Sequence, residues 1–316
     1  MIINFIYILS ILPVLMISKM QCVVQSAKVV GKLSYKMSIP ITRKMLMSAS
    51  NINNYAKNNQ TDIQCLITNK DKNIFCSDDL NAKQLYLNNH EFIKDKKLIT
   101  ISPGGYKGFY MLGVCSFIKE NYNTGNYIFS GASAGAWNSL FMTLNKDHLE
   151  CVLKLLDEDI RKQNSIKDTE YKIKETLLNS YTSDDFDLKR LFVGVTTISR
   201  AKPRTNIFSD FDNLEDAINC CIASSHIPFI SGAFSNSYNN QMTFDGGFSN
   251  YPYLNIKDSI LHITPSMWKK DVKKSIFVLE DYTSLFSKSK FSYIELYDNG
   301  YKDSKNNKIF LDKIFL

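Results

Sequence analysis

No two of this chain's seven cysteines stand at the C-x-x-C spacing that zinc and redox sites use. Cys220 and Cys221 are adjacent, and neighbours are poorly placed to ligate one metal; most of the seven read as small buried hydrophobes. Cys65 and Cys76 are a candidate disulfide should the chain be exported. No D-x-D-x-D-G calcium loop, internal repeat or low-complexity tract appears. Neither does a long basic run. The net charge of +7 favours an anionic partner such as a membrane surface, but the lysines are scattered, so a solvated surface is the plainer reading and nucleic acid is not expected. At 316 residues, 44% hydrophobic and 22% charged, the chain suits a globular protein with a sizeable core.

Charge is also missing from the N-terminus. Ile2 to Ile17 are almost wholly apolar, interrupted by Asn4, Ser10 and Pro13. As a helix such a run spans roughly 24 Å, short of a hydrocarbon core of about 30 Å. Residues 1–27 therefore read as a signal peptide, with Ser26 and Ala27 as small residues for cleavage, or else as an uncleaved anchor or a buried segment. The chain would be secreted or membrane-associated in the first two cases and cytoplasmic in the third. Residues 28–95 show no clear period and read as an N-terminal extension of unknown role, Asn-rich over 48–62.

The pattern sharpens at residue 96, where a domain running to 316 begins. Leu98 to Ile101 reads as a strand broken by Pro103-Gly104-Gly105, and Phe109 to Ile118 as a helix. Tyr127 to Phe129 is a second strand, followed by a helix over Ala136 to Leu144. Leu191 to Ile198 and Ile260 to Thr264 are further strands. Asn213 caps a helix from Leu214 to Ala223, and Phe291 to Asn306 is a closing helix. Strands alternating with helices imply an α/β sheet with helices on its faces.

Three elements carry chemistry. Gly131-Ala132-Ser133-Ala134-Gly135 is a G-x-S-x-G sequence between a predicted strand and a predicted helix. There Ser133 would sit on a sharp turn at the end of the sheet. Gly131 and Gly135 let strand and helix approach, and the helix start offers N–H groups to a developing oxyanion. Pro103-Gly104-Gly105-Tyr106-Lys107-Gly108 also joins a strand to a helix, and its glycines let backbone amides turn inward towards an anion. It lacks both the G-K-[ST] ending of a P-loop and the G-x-G-x-x-G spacing of a dinucleotide site, which leaves nucleotide binding the weaker alternative. Phe244-Asp245-Gly246-Gly247 puts a carboxylate at a strand end, where an ordinary Asp-Gly turn is the bland alternative.

In this order the three elements resemble the patatin-like phospholipase family, with its Gly-rich oxyanion loop, G-x-S-x-G and D-G-G. Ala223-Ser224-Ser225-His226-Ile227-Pro228 is similar to the family's A-S-x-x-x-P segment. The resemblance covers about residues 97–265. It implies a patatin-like three-layer α/β/α sandwich with a mainly parallel central sheet. It further implies a serine lipid acyl hydrolase that releases fatty acids from phospholipids, galactolipids or acylglycerols with a Ser133–Asp245 dyad. Oxyanion donors would be the amides of Gly104, Gly105 and Tyr106, and Lys107 matches a usually basic position. Gly108, Gly246 and Gly247 complete the motifs. Pro103 departs from the family's usual glycine and has no N–H to offer. The resemblance implies no metal or organic cofactor and no obligate protein partner, with a lipid or membrane surface as substrate. The alternatives are a lipid-binding protein on the same fold without catalysis, or a soluble esterase or thioesterase with a Ser-His-Asp triad. His262 follows Asp245 in the order such a triad needs, and His226 precedes it. Phe229, Ile230 and Phe234 are candidates for the acyl pocket, with ordinary core as the competing reading.

Overall fold

The computed structural model describes residues 64–68, 74–76, 91–199, 202–249, 251–268 and 292–316. Residues 1–27, and with them the signal or anchor segment, lie outside the described residues. Among the described residues no helix is long and apolar enough to cross a membrane.

The sheet's centre is built from β3 (Lys97–Ile101), β4 (Tyr127–Ala132), β5 (Leu191–Ser199) and β9 (Ser259–Ile263), in the order β5-β4-β3-β9 and all parallel. Such strands are buried on both faces, so they read as continuous apolar runs, and β4 is buried at every position. The period of two divides the side chains. Ile99, Phe129, Val193 and Phe208 enter the larger core, while Leu98, Ile128, Phe192 and Ile207 turn to the opposite face. Full burial of one such side chain contributes about 1.5–3 kcal/mol. The larger core is covered by α2 (Gly108–Asn121), α3 (Ala134–Met142) and α7 (Leu214–Ser224). Among the described residues, Ile93 of the short α1 (Glu91–Lys94), Leu254 and Ile256 close the opposite face.

Beyond β5 the sheet turns antiparallel. β6 (Lys202–Ser209) pairs back on β5, and the β7 (Asn236–Tyr238) and β8 (Gln241–Phe244) hairpin joins through β8 to the far end of β5. Two strands come from the segment that showed no period in the sequence. β1 (Gln64–Thr68) runs parallel to β6, and β2 (Ile74–Cys76) runs antiparallel to β1, with Cys65 opposite Cys76 in register.

Between α3 and β5 the chain makes an excursion through α4 (His148–Leu155), α5 (Glu158–Arg161) and α6 (Ile166–Ser180). It closes at its neck, where Leu144 bridges Phe186, the Asn145 amide donates to Asp185 and the Asp187 amide donates to Thr143. The closing helices are α8 (Tyr293–Asn306) and α9 (Lys308–Phe315). α8 lies directly on α2, because each helix presents a glycine to the other. A Cβ on Gly113 would overlap the Tyr297 carbonyl, and one on Gly300 the Tyr110 carbonyl. Around this crossing the Tyr110 hydroxyl donates to Asp303 (2.6 Å), and the Tyr297 hydroxyl meets Ser116 (3.0 Å). Gly300→Ala gains helix propensity of under about 1 kcal/mol but forces the helices apart, so a net loss of about 1–3 kcal/mol is expected in denaturant unfolding. An unchanged or raised midpoint would show that the crossing does not depend on backbone contact.

Candidate active site

The site forms where the parallel strands end. β4 stops at Ala132, and α3 starts at once at Ala134. The residue between them, Ser133, takes φ 54° and ψ −128°, a conformation that L-residues rarely adopt and that costs of order 1–3 kcal/mol unless its surroundings hold it. Two close approaches impose it. A Cβ on Gly131 would overlap the Gly135 carbonyl, and one on Gly135 would overlap the Ile101 carbonyl of the neighbouring strand. The helix therefore begins two residues earlier than its sequence suggests. Gly135 is not a helix breaker here but the point where α3 rests on β3.

A hydroxyl fixes the turn. Ser224 Oγ accepts the Ser133 amide at 2.7 Å and donates to the Gly194 carbonyl on β5 at 2.7 Å. Ser224 ends α7, whose start is capped by Asn213 accepting the Asp216 amide, as the sequence suggested. The serine of the Ala223-Ser224 pair thus has a physical task, tying the strained turn to the adjacent strand.

The glycine loop approaches from the other side. Gly105 has φ 51°, and a 3-10 turn over Gly105–Lys107 runs straight into α2. The Lys107 amide closes the turn onto the Gly104 carbonyl at 3.1 Å. The amides of Gly104, Gly105 and Tyr106 enter no backbone–backbone bond among the described residues. Gly108 packs on Ala134, so the loop abuts the residue after the serine. The Tyr106 ring stacks on Tyr293 of α8 with centroids 5.5 Å apart.

Asp245 follows β8. Phe244 is registered opposite Thr196 on β5, and Ala132 opposite Gly194, so both chain ends arrive at one edge of the sheet. Gly246 packs against Gly194 and Ala132, and Gly247 against Pro103. The Asp245–Gly247 turn therefore touches both the serine turn and the glycine loop. Asp245 is buried, its Oδ1 accepts the Gly247 amide at 2.6 Å, and its own amide donates to the His226 carbonyl at 2.7 Å.

From Ser133, Gly105, Tyr106 and Gly108 a cleft of about 890 Å³, open mouth included, runs between α2, α3 and α6. Its walls are mostly apolar, with Phe109, Leu112, Trp137, Phe141, Ile173 and Leu177 among them. Sequence reasoning had proposed other residues for this wall. Phe229 and Ile230 are neither wall nor core but stand at the surface, 74% and 41% exposed, and Phe229 has φ 64°. Phe234, half-buried, touches the rings of Phe229 and Phe244. The wall comes mainly from α3, with Trp137 one turn beyond the serine, and from α6, whose apolar stripe is diluted by charge.

Neither later histidine lines this cleft. His262 sits on β9, with Nδ1 2.8 Å from the Thr100 hydroxyl and its ring against Tyr253. The His226 ring packs near Phe244, and burial lowers its pKa.

Residues 99–255 match the sequence model of the patatin-like phospholipases. The chain carries a patatin-like phospholipase domain. That match, over just under half of the chain, supports a lipid acyl hydrolase family, and the mixed sheet with a parallel centre is consistent with a patatin-like fold. No curated protein matches the chain at a significant level.

In this patatin-like domain the Ser224 bridge is the joint most open to test. Ser224→Ala leaves a buried N–H and a buried C=O without their partner, at an expected cost of about 1–3 kcal/mol. Urea unfolding measures it, and a change within about 0.5 kcal/mol would mean that the turn is held by the glycine contacts alone.

Proposed function

We propose that this protein is a serine lipid acyl hydrolase that uses Ser133 and Asp245 as a dyad. The observation that carries the reading is the strained Ser133 at the head of α3, lining a largely apolar cleft. Ser133 Oγ attacks the ester carbonyl while its proton passes to the Asp245 carboxylate. The negative oxygen of the tetrahedral intermediate is held by the amides of Gly104, Gly105 and Tyr106, aided by the positive end of α3. Collapse expels the alcohol, which takes the proton from Asp245, and leaves an acyl-enzyme. Water then attacks, loses its proton to Asp245, and the fatty acid departs as Ser133 recovers its hydrogen.

A carboxylate is a weak base for a hydroxyl, so the reaction needs Asp245 ionised, poorly hydrated and close to Ser133. Its burial and the packing of its turn on Ala132 and Pro103 support that arrangement. Pro103 offers no amide, so the oxyanion site rests on the residues after it. The substrate class that fits is a phospholipid, galactolipid or acylglycerol, with the acyl chain in the cleft.

Fatty-acid release from mixed lipid vesicles tests the reading. Ser133→Ala and Asp245→Asn are expected to lose at least about a thousandfold in kcat, while His262→Ala stays within about threefold. Equal inactivity of all four folded proteins would point to a lipid-binding protein. Loss in His262→Ala to match Ser133→Ala would replace the dyad with a triad. A preference for short soluble esters with no gain on aggregated lipid would indicate a soluble esterase.

A further inference from the structure

Glu170 contributes the only carboxyl group among the described residues that line the cleft. It lies on the inner face of α6, where Ile166, Ile173 and Leu177 at helical spacing also face the cleft. An apolar side chain would complete that stripe. Glu170 is buried, and Ser225 and Trp137 line the cleft with it.

Burial without a cation sets its state. Ser225 Oγ donates to the Cys221 carbonyl at 3.0 Å and accepts from Trp137 Nε1 at 3.1 Å. Neither bond brings a cation to Glu170, and a carboxylate buried in an apolar wall with no cation beside it is disfavoured, so the neutral acid is favoured. The surrounding charges agree. The ionisable groups that act on Glu170 from packed elements are Asp245 after β8, Tyr106 of the glycine loop and Cys221 on α7, and none of these is a cation. The lysines of its own helix are engaged elsewhere, Lys167 over the Tyr171 ring and Lys174 with Glu215 and Asn219, while Lys172 pairs with Glu175.

We infer that Glu170 is the specificity-determining residue of the cleft, admitting an uncharged long acyl chain while protonated and excluding it once ionised. This rests on the acyl-chain reading of the cleft given above. A hydrocarbon chain beside an unpaired carboxylate would strip that charge of its remaining water, so chain and charge exclude each other. Burial pushes the Glu170 pKa up to about 8, so the neutral state prevails at neutral pH and is lost as pH rises through that value.

The test measures binding of a neutral probe, a pyrene-labelled long-chain alcohol, at pH 7 and pH 9. Binding to the natural chain is expected to weaken about tenfold, in proportion to the neutral fraction. Glu170→Gln, an uncharged side chain of nearly the same shape, should bind equally at both pH values. Glu170→Leu, if its circular dichroism is native, should do the same. Equal binding by the natural chain at both pH values, parallel weakening in the variants, or no binding at pH 7 would each overturn the inference. Ester hydrolysis by the natural chain and by Ser133→Ala is followed in the same series. A pH-dependent binding step without hydrolysis would sink the hydrolase reading and leave the gate standing. Hydrolysis without that step would do the reverse.

Discussion

Ser133 holds a backbone conformation that no isolated peptide would keep, and the surrounding architecture is arranged to hold it. The parallel centre of the sheet brings β3, β4 and β5 to a common edge. On that edge Ile101 supplies the carbonyl against which Gly135 rests, and Gly194 the carbonyl that Ser224 bonds. Remove either support and the turn can relax towards ordinary helix or loop geometry. The serine would then no longer project from the sheet at the first turn of α3. The strain is thus stored in a place where three strands and two helices over-determine it.

The same edge gathers the other parts without long-range design. β8 adds to β5 by ordinary antiparallel pairing, and its end delivers Asp245 beside Ala132. The glycine loop arrives because β3 ends one strand away and α2 must start close to Ala134. α8 then locks α2 from outside through the Gly113–Gly300 crossing, and its first residue, Tyr293, stacks on Tyr106 and Phe109. Helix α8, remote in sequence, therefore bears directly on the glycine loop that lines the cleft.

How much of this was legible in the sequence depends on the range of the determining contacts. The serine turn, the glycine loop and the Asp245 turn were readable because each is a local backbone requirement written in glycines. The buried strands were readable as apolar runs. β6 was not, since Lys202 to Asn206 shows no strand pattern and pairs only because β5 provides a partner. β1 and β2 are short and likewise depend on β6. α6 was missed because its inner stripe, Ile166, Ile173 and Leu177, is sparse among charged residues. The surface position of Phe229 contradicts composition altogether. Its apolar neighbours suggest a pocket, but φ 64° turns the chain outward there.

Two buried carboxyl groups lie near the serine turn, and their environments differ in kind. Asp245 lies on a tight turn where the Gly247 amide donates to its Oδ1. Glu170 projects from the middle of a helix into an apolar wall with no cation among the groups that act on it. Each also bears on the other, because a negative Asp245 raises the cost of a second negative charge nearby. The difference follows from backbone placement rather than from residue type. A carboxyl group at a turn accepts a backbone amide, as Asp245 does from Gly247. One on a helix flank with neither amide nor cation is kept as an acid, and it gives the cleft a wall that is polar but uncharged.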